Sequence, residues 1–113
     1  DGTEVRDVIH VDDMVSGFAT VAEKVDTYDI YNVCYGKGYT VMEVLELIKE
    51  IEGNDNPIEF VNNKAPMIPT RLLSNDKLKK LGWKPKYDLE SGLKDALKWY
   101  KENKNQFNPN SKP

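Results

Sequence analysis

The sequence predicts an α/β fold, on three observations: short β-prone runs alternate with segments of helical spacing, two of those segments begin at strong capping residues, and no internal repeat competes with the alternation. About four helices and three to four short strands are expected. Val5, Arg6, Asp7, Val8, Ile9, His10 and Val11 predict the first strand, with Asp12 placed to cap the helix that follows. On that helix Met14, Val15, Phe18, Val21 and Ala22 form one apolar stripe over Asp12 to Glu23. Ile30, Tyr31, Asn32, Val33 and Cys34 then read as a buried strand ending at Gly36-Lys37-Gly38.

Thr40 followed by Glu43 is a capping box, and Val41, Val44, Leu45, Ile48 and Ile51 line one helix face until Gly53 stops it. Pro57, Ile58, Glu59, Phe60 and Val61 predict another short strand, and Asn62 to Pro69 a surface loop broken by prolines. Ser74 is expected to cap a short helix through Leu78 and Leu81 that Gly82 closes, before the Trp83-Lys84-Pro85 turn. Asp88 caps the last helix, whose Leu89, Leu93, Ala96, Leu97 and Tyr100 share a face.

At 113 residues, 39% hydrophobic and 31% charged, the chain holds one domain with a modest core. Residues 1–104 are assigned to it, and the polar, proline-broken residues 105–113 to a disordered tail. A net charge of −3 excludes a general nucleic-acid or anionic-membrane surface, so any phosphate must be held by a few placed residues. One Cys and one His leave no metal cluster and no disulfide, which fits a reducing cytoplasm, and no apolar run is long enough for a bilayer. The chain enters its first strand with no initiator Met or signal peptide ahead of it, and is therefore expected to be the second half of something longer.

The order V-R-D-V-I-H-V-D-D, then Y-N-V-C-Y-G-K-G-Y-T-V-M-E-V-L-E-L-I, then P-T-R-L-L-S-N-D-K-L-K-K-L-G-W-K-P, then L-E-S-G-L-K-D-A-L-K-W-Y resembles the C-terminal portion of the extended short-chain dehydrogenases. These are the NAD-dependent nucleotide-sugar epimerases and dehydratases. The resemblance implies that an N-terminal Rossmann domain, missing here, binds NAD or NADP and supplies the catalytic Tyr-x-x-x-Lys pair, while this portion closes over a nucleotide-diphosphate sugar. On that reading the fragment binds no cofactor, holds no catalytic residue and does not turn over. Its Asp12–Glu23 helix and Ile30–Cys34 strand resemble elements that pack on the Rossmann sheet, so a homodimer or an exposed apolar patch is expected in its absence.

Arg6 and Arg71 are the candidate substrate-binding residues. From the residues alone, Arg6 has a ready alternative in a salt bridge to Asp7, Asp12 or Asp13. The resemblance implies instead that its planar fork of donors grips the substrate diphosphate. Arg71, the only other Arg, is read as a second phosphate or ribose contact. Many family members carry an acidic ribose-binding residue in the loop before this Arg, where this chain has Ala65-Pro66-Met67-Ile68.

Other motifs take structural readings. Tyr100 and Lys104 fit Tyr-x-x-x-Lys but fall in the last helix, and Gly36-Lys37-Gly38 lacks the third glycine of a phosphate loop. His10 is expected to be a hydrogen-bonded structural residue, Cys34 a small core residue, and Lys77, Lys79, Lys80, Lys84 and Lys86 a solvated face. For an intact epimerase the cycle would be oxidation to a 4-keto sugar, rotation and hydride return. A GDP- or dTDP-sugar reductase or dehydratase is the alternative within the family, and a stand-alone non-enzymatic binding or assembly module the alternative outside it.

Overall fold

Three short strands meet in one narrow sheet in the computed structural model, which describes residues 2–61 and 68–107. The strands are β1 (Val5–Asp7), β2 (Gly38–Thr40) and β3 (Thr70–Arg71), in the order β2-β1-β3, with β2 antiparallel and β3 parallel to β1. Around them lie α1 (Val11–Lys24), α2 (Val41–Glu52), α3 (Asp76–Lys79) and α4 (Leu89–Asn103), the last continued by a 3-10 turn over Lys104–Phe107. The architecture is the expected α/β one, with four α-helices and three strands among the described residues. The tail beyond 107 and most of the expected surface loop, residues 62–67, lie outside them.

Two helices form where their caps announce them. In α2 the Thr40 side chain accepts from the Glu43 amide while Glu43 accepts from Thr40, and Gly53 ends the helix at φ 61°, a left-handed conformation that glycine adopts without strain. In α4 Asp88 and Ser91 cap each other in the same reciprocal way. These bonds to its carboxylate hold the Asp88 pKa below its ordinary value.

Elsewhere the structure corrects the expectations. β1 ends at Asp7, and His10 rather than Asp12 caps α1, its Nδ1 accepting from the Asp12 amide at 3.2 Å. Asp12 occupies the first turn instead, where the helix dipole favours an acid. Ile30–Cys34 forms no strand, and Ile30 is 71% exposed, because Asn75 and Asp7 bind the end of this run through side chains and no neighbouring strand offers a ladder. Pro57–Val61 also stays irregular, while Thr70–Arg71, where no element is predicted, pairs with β1. Asn75 takes the cap position of α3, although Ser74 Oγ still accepts from the Asp76 amide.

The apolar stripe of α1 is divided. Asp13 and Gly17 are its buried positions, whereas Val15 and Phe18 are each 57% exposed. Gly17 faces the core so closely that a Cβ there would meet Val33 at 2.7 Å. Beside it sit Leu78, wholly buried, and Trp83, whose Nε1 donates to Ser16 Oγ. On α4, Leu89 is buried but Tyr100 is exposed, so the face expected to run to Tyr100 leaves the core earlier. The exposed apolar patch foreseen for this chain is present: Val11, Val15, Phe18 and Ile30 all face outward.

The buried Asp13 carboxylate ties α1 to the chain entering α4, accepting from the Lys86 amide at 2.7 Å and the Tyr87 amide at 2.9 Å. Charge-assisted bonds of this kind are among the stronger ones a small domain makes, and removing the acceptor strands both donors. Asp13→Ala is expected to cost roughly 2–4 kcal/mol of folding stability, measured by urea titration. An unchanged midpoint would contradict this role.

Candidate functional site

The sheet brings the two candidate arginines together. Arg6 is the pairing partner of Tyr39 on β2 and of Arg71 on β3, so Tyr39, Arg6 and Arg71 form one row across the sheet. Cross-strand partners project to the same face, about 5 Å apart. Lys37 adds a third cation at the end of the row, its Nζ lying 5.0 Å from the centre of the Tyr39 ring. On the opposite face a Cβ on Gly38 would run into Val5 and Leu72.

None of the acids that could neutralise Arg6 does so. Asp7 accepts from the Tyr35 and Gly36 amides at 2.8 and 2.7 Å, Asp13 is occupied as described, and Asp12 lies 4.0 Å from His10. Among the described residues the Arg6 guanidinium donates from Nη1 to its neighbour's carbonyl, Val5 O, at 2.9 Å. Among the described residues every ion pair is made by His10 or a lysine, and neither arginine has a carboxylate partner. Two adjacent guanidiniums without a counter-ion repel each other, and an anion bridging them relieves that repulsion. Arg71 is exposed and Arg6 half-buried.

The turn before β2 owes its shape to two side chains. Asp7 binds its amides, while Asn75, itself buried, donates to the Cys34 and Tyr35 carbonyls at 2.9 and 3.0 Å. Gly36 sits at φ 88° and lies so close to Asn75 that a Cβ would meet it at 2.8 Å. Asp7 takes the Tyr35 and Gly36 amides and the capping box closes the start of α2, so Gly36-Lys37-Gly38 serves as a turn leading into β2 and α2.

The remaining candidates take the structural roles expected of them. His10 is shielded from solvent, its Nε2 3.1 Å from Asp95 and its ring stacked on Tyr87 at 3.9 Å. Burial, then the nearby Asp7 charge, pushes the Cys34 thiol above its ordinary pKa, which leaves it a poor nucleophile. Burial likewise raises the Tyr35 phenol, with Tyr39 and Asp88 adding to the shift. The lysines from Lys77 to Lys86 are exposed, and Lys77 pairs with Asp29 beside Tyr31. Tyr100 is 57% exposed on the outside of α4.

Comparison with known proteins gives the arrangement a family. The model of the NAD dependent epimerase/dehydratase family matches residues 1–34. The Oryza sativa protein named "Probable GDP-L-fucose synthase 1" is 32% identical over 102 residues, covering 90% of this chain and 31% of its own length. UDP-glucose 4-epimerase from Thermotoga maritima, solved with UDP-glucose, superposes with a TM-score of 0.83 at 33% identity, over 91% of this chain and 33% of that one. The chain is similar to members of the NAD-dependent epimerase/dehydratase family over most of its length. A dTDP-glucose 4,6-dehydratase from Bacillus anthracis, solved with NAD, agrees at TM-score 0.86 and 32% identity, over 96% of this chain and 35% of its own. The chain thus spans about a third of the length of these epimerase/dehydratase relatives.

Sequence reasoning missed Asp7, Asp13 and Asn75 as the residues that shape the site. Asp13 left a trace, since it falls on the same helix face as Gly17 and Val21; Asn75 left none. The Asp7 clamp has a direct test in amide hydrogen exchange. Asp7→Ala is expected to speed exchange at Tyr35 and Gly36 by at least about tenfold, with α4 unaffected. Unchanged protection at those two amides would remove the clamp.

Proposed function

We propose that this chain is the substrate-gripping part of an NAD-dependent nucleotide-sugar epimerase or dehydratase, and that Arg6 and Arg71 hold the substrate diphosphate. One observation carries the reading: the chain's two arginines are neighbours in register on one sheet face, with no carboxylate partner among the described residues. A guanidinium stays charged at any physiological pH and meets phosphate oxygens with two parallel donors. Two of them side by side match the two charges of a diphosphate. The relatives' names share this substrate class, a sugar on a nucleoside diphosphate.

Held by its diphosphate, such a substrate keeps its sugar end free to be oriented against the reacting groups. Nicotinamide chemistry belongs, on this reading, to a Rossmann domain outside this chain, in keeping with the Tyr35 and Gly36 amides being taken up by Asp7. That domain also covers the outward apolar side chains of α1, Val11, Val15 and Phe18, and a chain without it would pair through them as a homodimer. Epimerase, reductase and dehydratase readings share the grip and differ only in the fate of the 4-keto sugar. Among the described residues no helix is long and apolar enough to cross a membrane.

The test is calorimetric titration of UDP into the protein at its full natural length. Arg6→Ala and Arg71→Ala are each expected to weaken binding by roughly 10- to 100-fold. UDP affinity unchanged in both variants would overturn the reading.

A further inference from the structure

Glu4 presents the complement of the arginine problem. It immediately precedes β1, and the neighbouring chains continue past it: the Val41 amide donates to Glu4 O at 3.0 Å, and the Val5 amide to Pro69 O at 2.8 Å. Alternation along an extended chain puts Glu4 on the sheet face that carries Arg6. Its Oε2 is buried and has no hydrogen-bond donor among the described residues. No ion pair joins it to Arg6 or Arg71. The same face therefore carries cations lacking an acceptor and, beside them, a buried acceptor lacking a donor.

We propose that Glu4 accepts hydrogen bonds from a vicinal diol of the ligand whose diphosphate the two arginines hold. The inference rests on the diphosphate reading and adds to it. An ionised carboxylate only accepts, so its partner must bring O–H or N–H groups. Phosphate at neutral pH brings few and repels the charge. In a nucleoside diphosphate sugar, the neutral donors nearest the diphosphate are the hydroxyls of ribose on one side and hexose on the other. A buried orphan acceptor is costly, and satisfying it only in the complex directs that cost toward selectivity. Glu4 thus discriminates a nucleotide sugar from a bare phosphate anion, which the arginines alone would take.

The sign of the effect separates this role from a structural one. Glu4→Ala and Glu4→Gln are made in the protein at its full natural length and titrated with pyrophosphate, UDP and dTDP-glucose. Removing a carboxylate from beside two phosphates leaves pyrophosphate binding as tight as before or tighter. The same change weakens the diol ligand, by at least about tenfold for Glu4→Ala and by less for Glu4→Gln, which keeps one acceptor oxygen. A loss on UDP assigns the ribose diol. A loss confined to dTDP-glucose, whose deoxyribose lacks the diol, assigns the hexose. Parallel losses on all three ligands, or no loss on any, would overturn the proposal. A parent protein that binds neither pyrophosphate nor UDP would overturn the diphosphate reading itself, and the Glu4 role with it.

Discussion

The site depends on one carboxylate turned away from its neighbour. Asp7 follows Arg6 directly, and in an extended strand the two side chains leave on opposite faces. Asp7 spends its charge on the amides of Tyr35 and Gly36, which fixes the turn that delivers β2 to β1. Asn75 holds the carbonyls of that turn from the other side and sits just ahead of α3, soon after β3. The three strands are thereby set side by side, and the row of Tyr39, Arg6 and Arg71 is a consequence of that alignment. Were Asp7 to pair with Arg6 instead, the turn would lose its anchor and the guanidinium its availability.

Side chains bound to backbone recur because the apolar core is small. Among the described residues its buried hydrophobic members are Cys34, Leu78, Trp83 and Leu89, and with them sit two buried polar residues, Asp13 and Asn75, each bonded to main-chain groups distant in sequence. Buried polar groups that find all their partners fix one arrangement of the chain, since any other strands them. Meanwhile Val11, Val15, Phe18 and Ile30 stay outside. Burying them against a further protein surface would add what the core lacks, in keeping with a chain that spans about a third of its relatives' length.

What the sequence made legible follows from how local each interaction is. The boundaries of α2 and α4 were readable because their caps lie three residues from their partners, Thr40 with Glu43 and Asp88 with Ser91. The Ile30–Cys34 run has the composition of a strand, but composition does not say whether another strand lies beside it, and here side chains bind it instead. β3 was invisible because two residues carry no periodicity. Arg6 was singled out by guanidinium chemistry and the family resemblance, and Arg71 as the only other arginine. Their adjacency was not legible, because it comes from a parallel pairing between two segments far apart in the sequence. Glu4 gave no signal either, since an acid ahead of a strand is ordinary until its oxygen is found buried without a donor.

The central claim is that the two arginines act on one anion rather than on two. A double-mutant cycle on UDP affinity, using Arg6→Ala, Arg71→Ala and the pair in the protein at its full natural length, measures this directly. Groups that share a ligand couple by about 0.5–3 kcal/mol, whereas independent sites add within about 0.5 kcal/mol. The structure predicts coupling in the upper part of that range. Strict additivity of the two losses would contradict it.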